Sequence, residues 1–218
     1  QYKEAPMLAE LVKAGKLPKV EDRLPKDVLV LKPLHEIGKY GGTWRGGFTG
    51  PGDLWNAKRL AAHDHILYFD WKVSTVYPNV AASWEVTDGG KTTSLHLRKG
   101  LKWSDGQPLT ADDFLFWYED MYLNKELVAS PSTYFAIRGK QGKLEKVDDY
   151  TLRYTFPDPY TLFPDVLAGF NNITSHANWG NVGGGGFAPK HYLKQFHPKY
   201  VSKEELDKKM AAEKMDTW

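Results

Sequence analysis

The chain has 218 residues, 41% hydrophobic and 26% charged, a balance that supports a packed core and excludes a disordered polymer. Lys plus Arg number 29 and Asp plus Glu 27, so the net charge of +2 is too small for the dense positive field of a nucleic-acid binder. Cysteine is absent, which excludes disulfides, thiolate catalysis and Cys-ligated zinc, and no apolar run approaches the ~20 residues that span a bilayer.

Gln1–Lys16 carries Leu8, Leu11 and Val12 at helical spacing and ends at Gly15, which predicts a short helix. Gln1–Leu11 lacks a charged-then-apolar signal pattern, so any targeting peptide is expected to be absent from this chain. Leu17–Pro33 holds Pro18, Pro25 and Pro33 among charges and reads as an extended surface segment, with a short strand at Val28–Leu31. Tyr40–Gly50 (YGGTWRGGFTG) places Thr43, Trp44 and Arg45 between glycine pairs, the pattern of a strand ending in a tight loop.

Ser83–Val86 and Thr92–Arg98 flank Asp88-Gly89-Gly90, a hairpin signal because Asp and Gly accept the positive φ of a tight turn. Leu95 and Leu97 alternate with Ser94, His96 and Arg98, which places one face inward. Lys102–Pro108 is a second turn region. Thr110 then caps a helix whose first turn carries Asp112 and Asp113 at the positive dipole end, with Phe114, Trp117, Tyr118 and Met121 on one face.

Lys143–Val147 and Thr151–Phe156 surround Asp148-Asp149-Tyr150, a second hairpin with Leu152, Tyr154 and Phe156 on one face, closed by Pro157 and Pro159. Tyr160–Leu167 reads as helix, Gly183–Gly186 as a flexible run, and Pro189–Phe196 and Ser202–Met215 as two more helices. Hairpins and helices mix without a repeated strand-helix period, so the fold class is α+β with a largely antiparallel sheet and flanking helices.

Four stretches in order carry a resemblance: Pro78–Val86 (PNVAASWEV), Asp88–Lys91 (DGGK), Leu97–Gly106 (LRKGLKWSDG) and Pro108–Phe114 (PLTADDF). Val147–Leu152 (VDDYTL) and Ala188–Leu193 (APKHYL) continue it. From about Tyr40 to about Tyr200 the chain resembles the extracellular solute-binding proteins of the oligopeptide and dipeptide type, family 5. Its Leu24–Trp44 stretch is similar to a branch that includes oligosaccharide binders. The resemblance implies the N-terminal part of the first lobe of a two-lobed, periplasmic-binding-protein-like fold, with residues 1–50 and 157–218 as a core subdomain and 51–156 as an insert. It also implies a periplasmic or membrane-tethered extracellular protein that captures a peptide or oligosaccharide for an ABC permease of the inner membrane. The second lobe is absent from these residues.

The signature residues have fold roles of their own. Trp84 and Trp103 pack the hairpin, Asp105-Gly106 turns, and Thr110 caps. Enzymatic readings lack support in the residues. His63-Asp64-His65 reads as a surface loop, since alternate residues of an extended segment face opposite ways and no third ligand has suitable spacing. His35-Glu36 lacks the second His of a zinc-protease helix, Gly183–Gly186 lacks a following Gly-Lys-Ser or Gly-Lys-Thr, and no Gly-x-Ser-x-Gly elbow occurs. Capping and turn roles account for the Asp112-Asp113 and Asp148-Asp149 pairs. Asn172-Ile173-Thr174 fits the glycan acceptor pattern, which matters only in a secreted eukaryotic protein. No metal and no organic cofactor is expected. The alternatives to a binding lobe are a glycan-acting hydrolase, which needs an unexplained carboxylate pair in a cleft, and a sensor or interaction lobe.

Aromatic residues reach 14% with 8 Trp, and rings on irregular segments suit a polar solute held against stacking faces. The candidate solute-binding residues are Phe48, Thr49, Gly50, Trp55, Asn56, Tyr134, Phe135, Asn171, Asn172 and Trp179. Each has core packing as its alternative role. Phe48, Trp55 and Asn171 or Asn172 are expected on one concave surface, and the Trp and Asn content leans toward a sugar.

Overall fold

The computed structural model describes residues 2–43, 45–47, 49–50, 65–169 and 186–218. Helix α1 (Pro6–Lys13) begins with a proline in its first turn, where the missing N–H has no partner to lose. It ends where Gly15 takes φ +68° and the Lys16 amide reaches back to the Leu11 carbonyl. A one-turn helix, α2 (Val20–Arg23), follows in the stretch expected to be extended, and Arg23 pairs with Glu4, just ahead of α1.

The strand expected at Val28–Leu31 does not form, nor does the one at Thr43–Arg45 on its described residues. A strand exists only by sharing ladder hydrogen bonds, and among the described residues neither stretch has a ladder partner. Val30 and Leu31 are exposed instead. The segment is fixed one step earlier. Arg98, itself 5% exposed, donates from Nε to the Asn79 carbonyl and from Nη1 to the carbonyl and carboxylate of Asp27. Arg98 is therefore buried under the N-terminal wrap, and β-strand alternation failed to anticipate this because the cover comes from a distant part of the chain.

A two-stranded ribbon of β1 (Leu67–Phe69) and β2 (Val76–Pro78) leads into a four-stranded antiparallel sheet. Its strands are β3 (Ala81–Thr87), β4 (Thr92–Leu97), β7 (Lys143–Asp148) and β8 (Thr151–Thr155), in the order β3-β4-β8-β7. Between β4 and β7 lies the small ribbon of β5 (Ala136–Ile137) and β6 (Lys140–Gln141). Both expected hairpins form. The first turns through Asp88, Gly89 and Gly90, all at positive φ, and a Cβ on Gly90 would meet the Thr161 side chain at 2.6 Å. That close approach lets the Tyr160 amide reach the Gly90 carbonyl at 2.7 Å and ties the chain after β8 onto this turn.

Helix α3 (Ala111–Phe116) starts in a capping box of Thr110 and Asp113 and packs against β7. It continues as a π-helical stretch, Trp117–Tyr122. The wider turn buries Trp117, Tyr118 and Tyr122 together rather than a single 3.6-residue stripe, whereas Met121 is half-buried. These rings meet Phe135, Tyr154 of β8 and Phe163 in a continuous aromatic cluster with centroid spacings of 4.9–6.4 Å. Phe163 opens helix α4 (Phe163–Ala168), which packs on β1 and β2. The core extends from Ile66 to Ala188 and so crosses residues 156 and 157 without interruption.

Helix α5 (Lys190–Leu193) and helix α6 (Lys203–Glu213) close the chain, the latter capped by Ser202 on the Glu205 amide. Asp120, 6% exposed, holds this arm: its carboxylate accepts Lys199 Nζ and the Tyr200 hydroxyl, each at 2.5 Å. Among the described residues no helix is long and apolar enough to cross a membrane.

Candidate functional site

Six of the ten candidate residues, Phe48, Trp55, Asn56, Asn171, Asn172 and Trp179, lie outside the described residues. Thr49 is exposed and Gly50 is half-buried with φ +147°. The adjacent pair Tyr134 and Phe135 separates. Phe135 has no exposed surface and touches Trp117, Tyr118, Tyr122, Tyr154 and Phe163, so it packs the core and offers no face to a solute. Tyr134 remains 42% exposed on the same turn.

The turn that divides them is held at several points. Ser132 Oγ accepts the Tyr134 amide at 3.2 Å, capping a 3-10 turn over Thr133–Phe135. Tyr122 donates its hydroxyl to the Ser132 carbonyl at 2.6 Å, and Tyr160 donates to the Tyr134 carbonyl at 3.3 Å. Beneath them Tyr118 donates to the Gly142 carbonyl at 2.6 Å. Burial pushes the Tyr122 phenol up to about 12 and the Tyr118 phenol further, so both remain donors across the physiological range. Tyr134 is thus an exposed ring on an immobilised backbone, a low-entropy stacking platform. Helical periodicity missed the clamping hydroxyls because it records only where rings are buried; Ser132 before Thr133-Tyr134 was the available cue.

Most of the other candidates belong to two segments whose described ends lie together. Ile66, which follows residues 51–64, sits 2.9 Å from a Cβ built on Gly186, which follows residues 170–185. Helix α4, which precedes the second segment, packs on β1. The rejoining chain is then anchored on Asp113. Its Oδ1 accepts the Lys190 amide at 3.0 Å, its Oδ2 accepts the Thr110 amide at 2.9 Å and Trp103 Nε1 at 3.2 Å, and its own carbonyl accepts the Ala188 amide at 3.1 Å. Burial pushes the Asp113 carboxyl up, and the three N–H donors oppose that rise. Sequence reading gave Asp113 only a dipole role at the helix start; its second role depends on a partner 77 residues away.

Beside this joint is a cleft of about 250 Å³ between Pro108, Asp112, Lys190, His191 and Lys194. None of the candidate residues lines it. Several of its polar groups are already paired, Asp112 with Lys146 at 2.8 Å and with Lys190 at 3.7 Å, and His191 with Asp105 at 2.6 Å. A hydrogen bond from Lys146 holds the Asp112 carboxyl below its ordinary value, and the Gln107 amide followed by His191 does the same for Asp105. The cleft is therefore a fold joint. His65, expected on a surface loop, is instead 3% exposed and edge-on to Tyr68, while His63 and Asp64 lie outside the described residues. The described residues contain no group of three or more His, Asp or Glu placed to hold a metal ion.

Residues 75–213, well over half of the chain, match the family model for bacterial extracellular solute-binding proteins, family 5 Middle. The chain belongs to this family. The periplasmic alpha-galactoside-binding protein of Rhizobium meliloti is 33% identical over 225 residues, covering 92% of this chain and 30% of the relative. A solved structure titled oligopeptide-binding protein OppA superposes with a TM-score of 0.83 at 41% identity, covering all of this chain and 32% of that one. The periplasmic binding protein MelB of Agrobacterium fabrum C58, solved in complex with stachyose, gives a TM-score of 0.69 at 28% identity over 96% of this chain and 33% of that one. The α+β fold is thus that of a family 5 solute-binding lobe, and the chain spans about a third of the length of the proteins it matches.

Proposed function

We propose that these residues form the front of the first lobe of a longer, extracytoplasmic solute-binding protein that captures an oligosaccharide and delivers it to the permease of an ABC importer. The observation that carries the sugar reading is the 33% identity, over 92% of this chain, to an alpha-galactoside-binding relative, joined by the likeness to MelB, which was solved in complex with stachyose. The exposed, immobilised Tyr134 and the Trp and Asn residues of the candidate set suit it chemically, since sugar faces stack on rings and sugar hydroxyls pair with amides. Phe48, Thr49, Gly50, Trp55, Asn56, Tyr134, Asn171, Asn172 and Trp179 are the proposed contacts. The proposed division is a core subdomain of residues 1–50 and 157–218 and an insert of 51–156; the apolar core draws its residues from 66–156 and 160–193. A peptide solute is the second reading, favoured by the 41% identity to the structure titled oligopeptide-binding protein. No reacting pair of carboxylates or nucleophile is required by either.

The test uses the parent protein, which carries these residues together with the remaining length found in its relatives. Its intrinsic tryptophan fluorescence is titrated with stachyose and, separately, with a pool of di- to pentapeptides. Saturable binding of stachyose that the peptides do not displace is the expected outcome. Binding of peptides alone establishes the second reading, and binding of neither class refutes both.

A further inference from the structure

The N-terminal wrap is clamped as far as Asp27. Lys102 Nζ donates to the Asp22 carbonyl at 2.9 Å, and the buried Arg98 donates to the Asp27 carbonyl at 2.9 Å and to its carboxylate at 2.8 Å. The backbone of Pro25 and Lys26 lies so close to Gly100 that a Cβ there would meet the Lys26 nitrogen at 2.9 Å. These contacts aim the chain that follows. Beyond them the ties stop: among the described residues, none from 28 to 43 makes a backbone hydrogen bond. That stretch is also apolar and open, with Val30, Leu31, Leu34, Ile37 and Tyr40 between 57% and 84% exposed. Single exposed side chains are ordinary on any surface, but five within residues 30–40 form a patch, and a patch of this kind is a contact surface.

The residue pattern says what must cover it. Val28-Leu29-Val30-Leu31 is an unbroken apolar run between Pro25 and Pro33, with two β-branched residues. A strand with one wet face alternates, whereas an unbroken run belongs to a strand covered on both faces. The cover therefore supplies two things, a ladder partner for the unpaired N–H and C=O groups and apolar side chains on either side. A lipid surface supplies no ladder. A second copy pairing edge to edge supplies a ladder but no layer over the two faces. The remaining polypeptide of the parent can supply both, since this chain spans only 30–33% of the proteins it matches.

We propose that residues 28–32 (VLVLK) form an interior β-strand of the complete lobe, paired with and covered on both faces by a segment of the parent that lies outside these 218 residues. The inference rests on only one part of the function proposed above, that these residues are the front of a longer protein. It explains why a buried arginine is spent on fixing Asp27: the clamp delivers the strand to its partner in register. The same segment runs on in sequence to Thr49 and Gly50, two of the proposed solute contacts. Their wall is thus positioned from one side by the Arg98 clamp and from the other by the returning chain.

The experiment is amide hydrogen exchange of the full-length parent, read by mass spectrometry against the intrinsic rates of an unpaired chain. The amides of residues 29–32 should exchange at least about a hundredfold more slowly than that reference. In two variants a benzophenone amino acid replaces Val30 or Leu31, which point to opposite faces of an extended strand. The irradiated monomer of each should cross-link to parent residues outside these 218. Slowing by less than about a hundredfold overturns the inference, and this arm needs no variant that could misfold. Slow exchange with no cross-link from either position, or with cross-links confined to residues 1–218, overturns it in favour of a local cover. Cross-links that join two monomers overturn it in favour of a second copy. A parent that binds neither stachyose nor peptides refutes the proposed function and leaves this inference standing, whereas fast exchange in a parent that binds solute refutes this inference alone.

Discussion

Replacing Asp113 by Asn tests the joint that returns the chain to the core beside the candidate site. The carboxylate accepts three N–H groups, from Thr110, Trp103 and Lys190, within 3.2 Å, and the residue is 4% exposed. An amide has only one acceptor oxygen. In its better orientation Asn keeps the two bonds on the Thr110 and Trp103 side and turns its NH₂ toward the Lys190 amide. One buried donor is then unsatisfied, at about 1–3 kcal/mol, and the two remaining bonds lose their charge assistance, about 0.5–1 kcal/mol each. The sum is about 2–5 kcal/mol, or roughly 4–20 °C in Tm at about 2–4 °C per kcal/mol for a domain of this size. Thermal unfolding followed by circular dichroism, on this chain and on the parent, measures it. Because Lys190 follows the segment that carries Asn171, Asn172 and Trp179, the parent variant should also bind solute more weakly. A Tm within 2 °C of wild type would refute the reasoning, since it would mean that the Lys190 amide finds another acceptor or never needed one.

Other perturbations read out separate parts of the account. Gly142→Ala places a Cβ 2.6 Å from Phe156 Cε1 and should destabilise by about 1–3 kcal/mol, visible as a lower urea midpoint. Arg98→Met keeps the buried stem but releases Asp27, so limited proteolysis should cleave within the first ~30 residues faster than in wild type while the sheet remains protected. The Lys146–Asp112 pair depresses the carboxyl, so its contribution is complete above the ordinary carboxylate range and lost as pH falls through the depressed folded value. Lys146→Met should flatten that part of the acid dependence in urea melts between about pH 5 and 2. In the parent, Trp55→Ala should weaken solute binding by calorimetry with little change in Tm; a large drop in Tm at unchanged affinity would mark Trp55 as core.

The legible parts of the fold were those in which a few adjacent residues carry their own reason. Asp88-Gly89-Gly90 and Asp148-Asp149-Tyr150 supply the turn chemistry and the alternating strands on either side, and both hairpins form. Thr110 with Asp113 announces a helix start in the same local way. What stayed hidden depends on partners far along the chain. No residue type marks the π-helical insertion at Trp117–Tyr122, and β-propensity at Val28–Leu31 makes no strand without a neighbouring ladder. Arg98 looked like the polar face of β4 until the Asp27 segment, 71 residues earlier, covered it.

For the site, the family signature was plain in the residues while the contacts were not. Tyr134 and Phe135 are chemically alike and adjacent, and only the Ser132 cap and the hydroxyls of Tyr122 and Tyr160 decide which ring stays outside. Burial of Phe135 removes it from the proposed contacts. Most of the described aromatic rings serve the core.

The central claim is that these residues are one wall of a two-walled solute site, and calorimetric titration of this 218-residue chain beside the parent tests it most directly. Sites that bind well enclose roughly 70–90% of a ligand, and a single wall leaves most of that surface in water. With stachyose in the cell, the account predicts saturable binding by the parent and a dissociation constant for the chain weaker by roughly a thousandfold or more, a loss of about 4 kcal/mol, while the chain still unfolds cooperatively. Equal dissociation constants would contradict it, because the site would then lie wholly within these residues and closure between two lobes would have no part in capture.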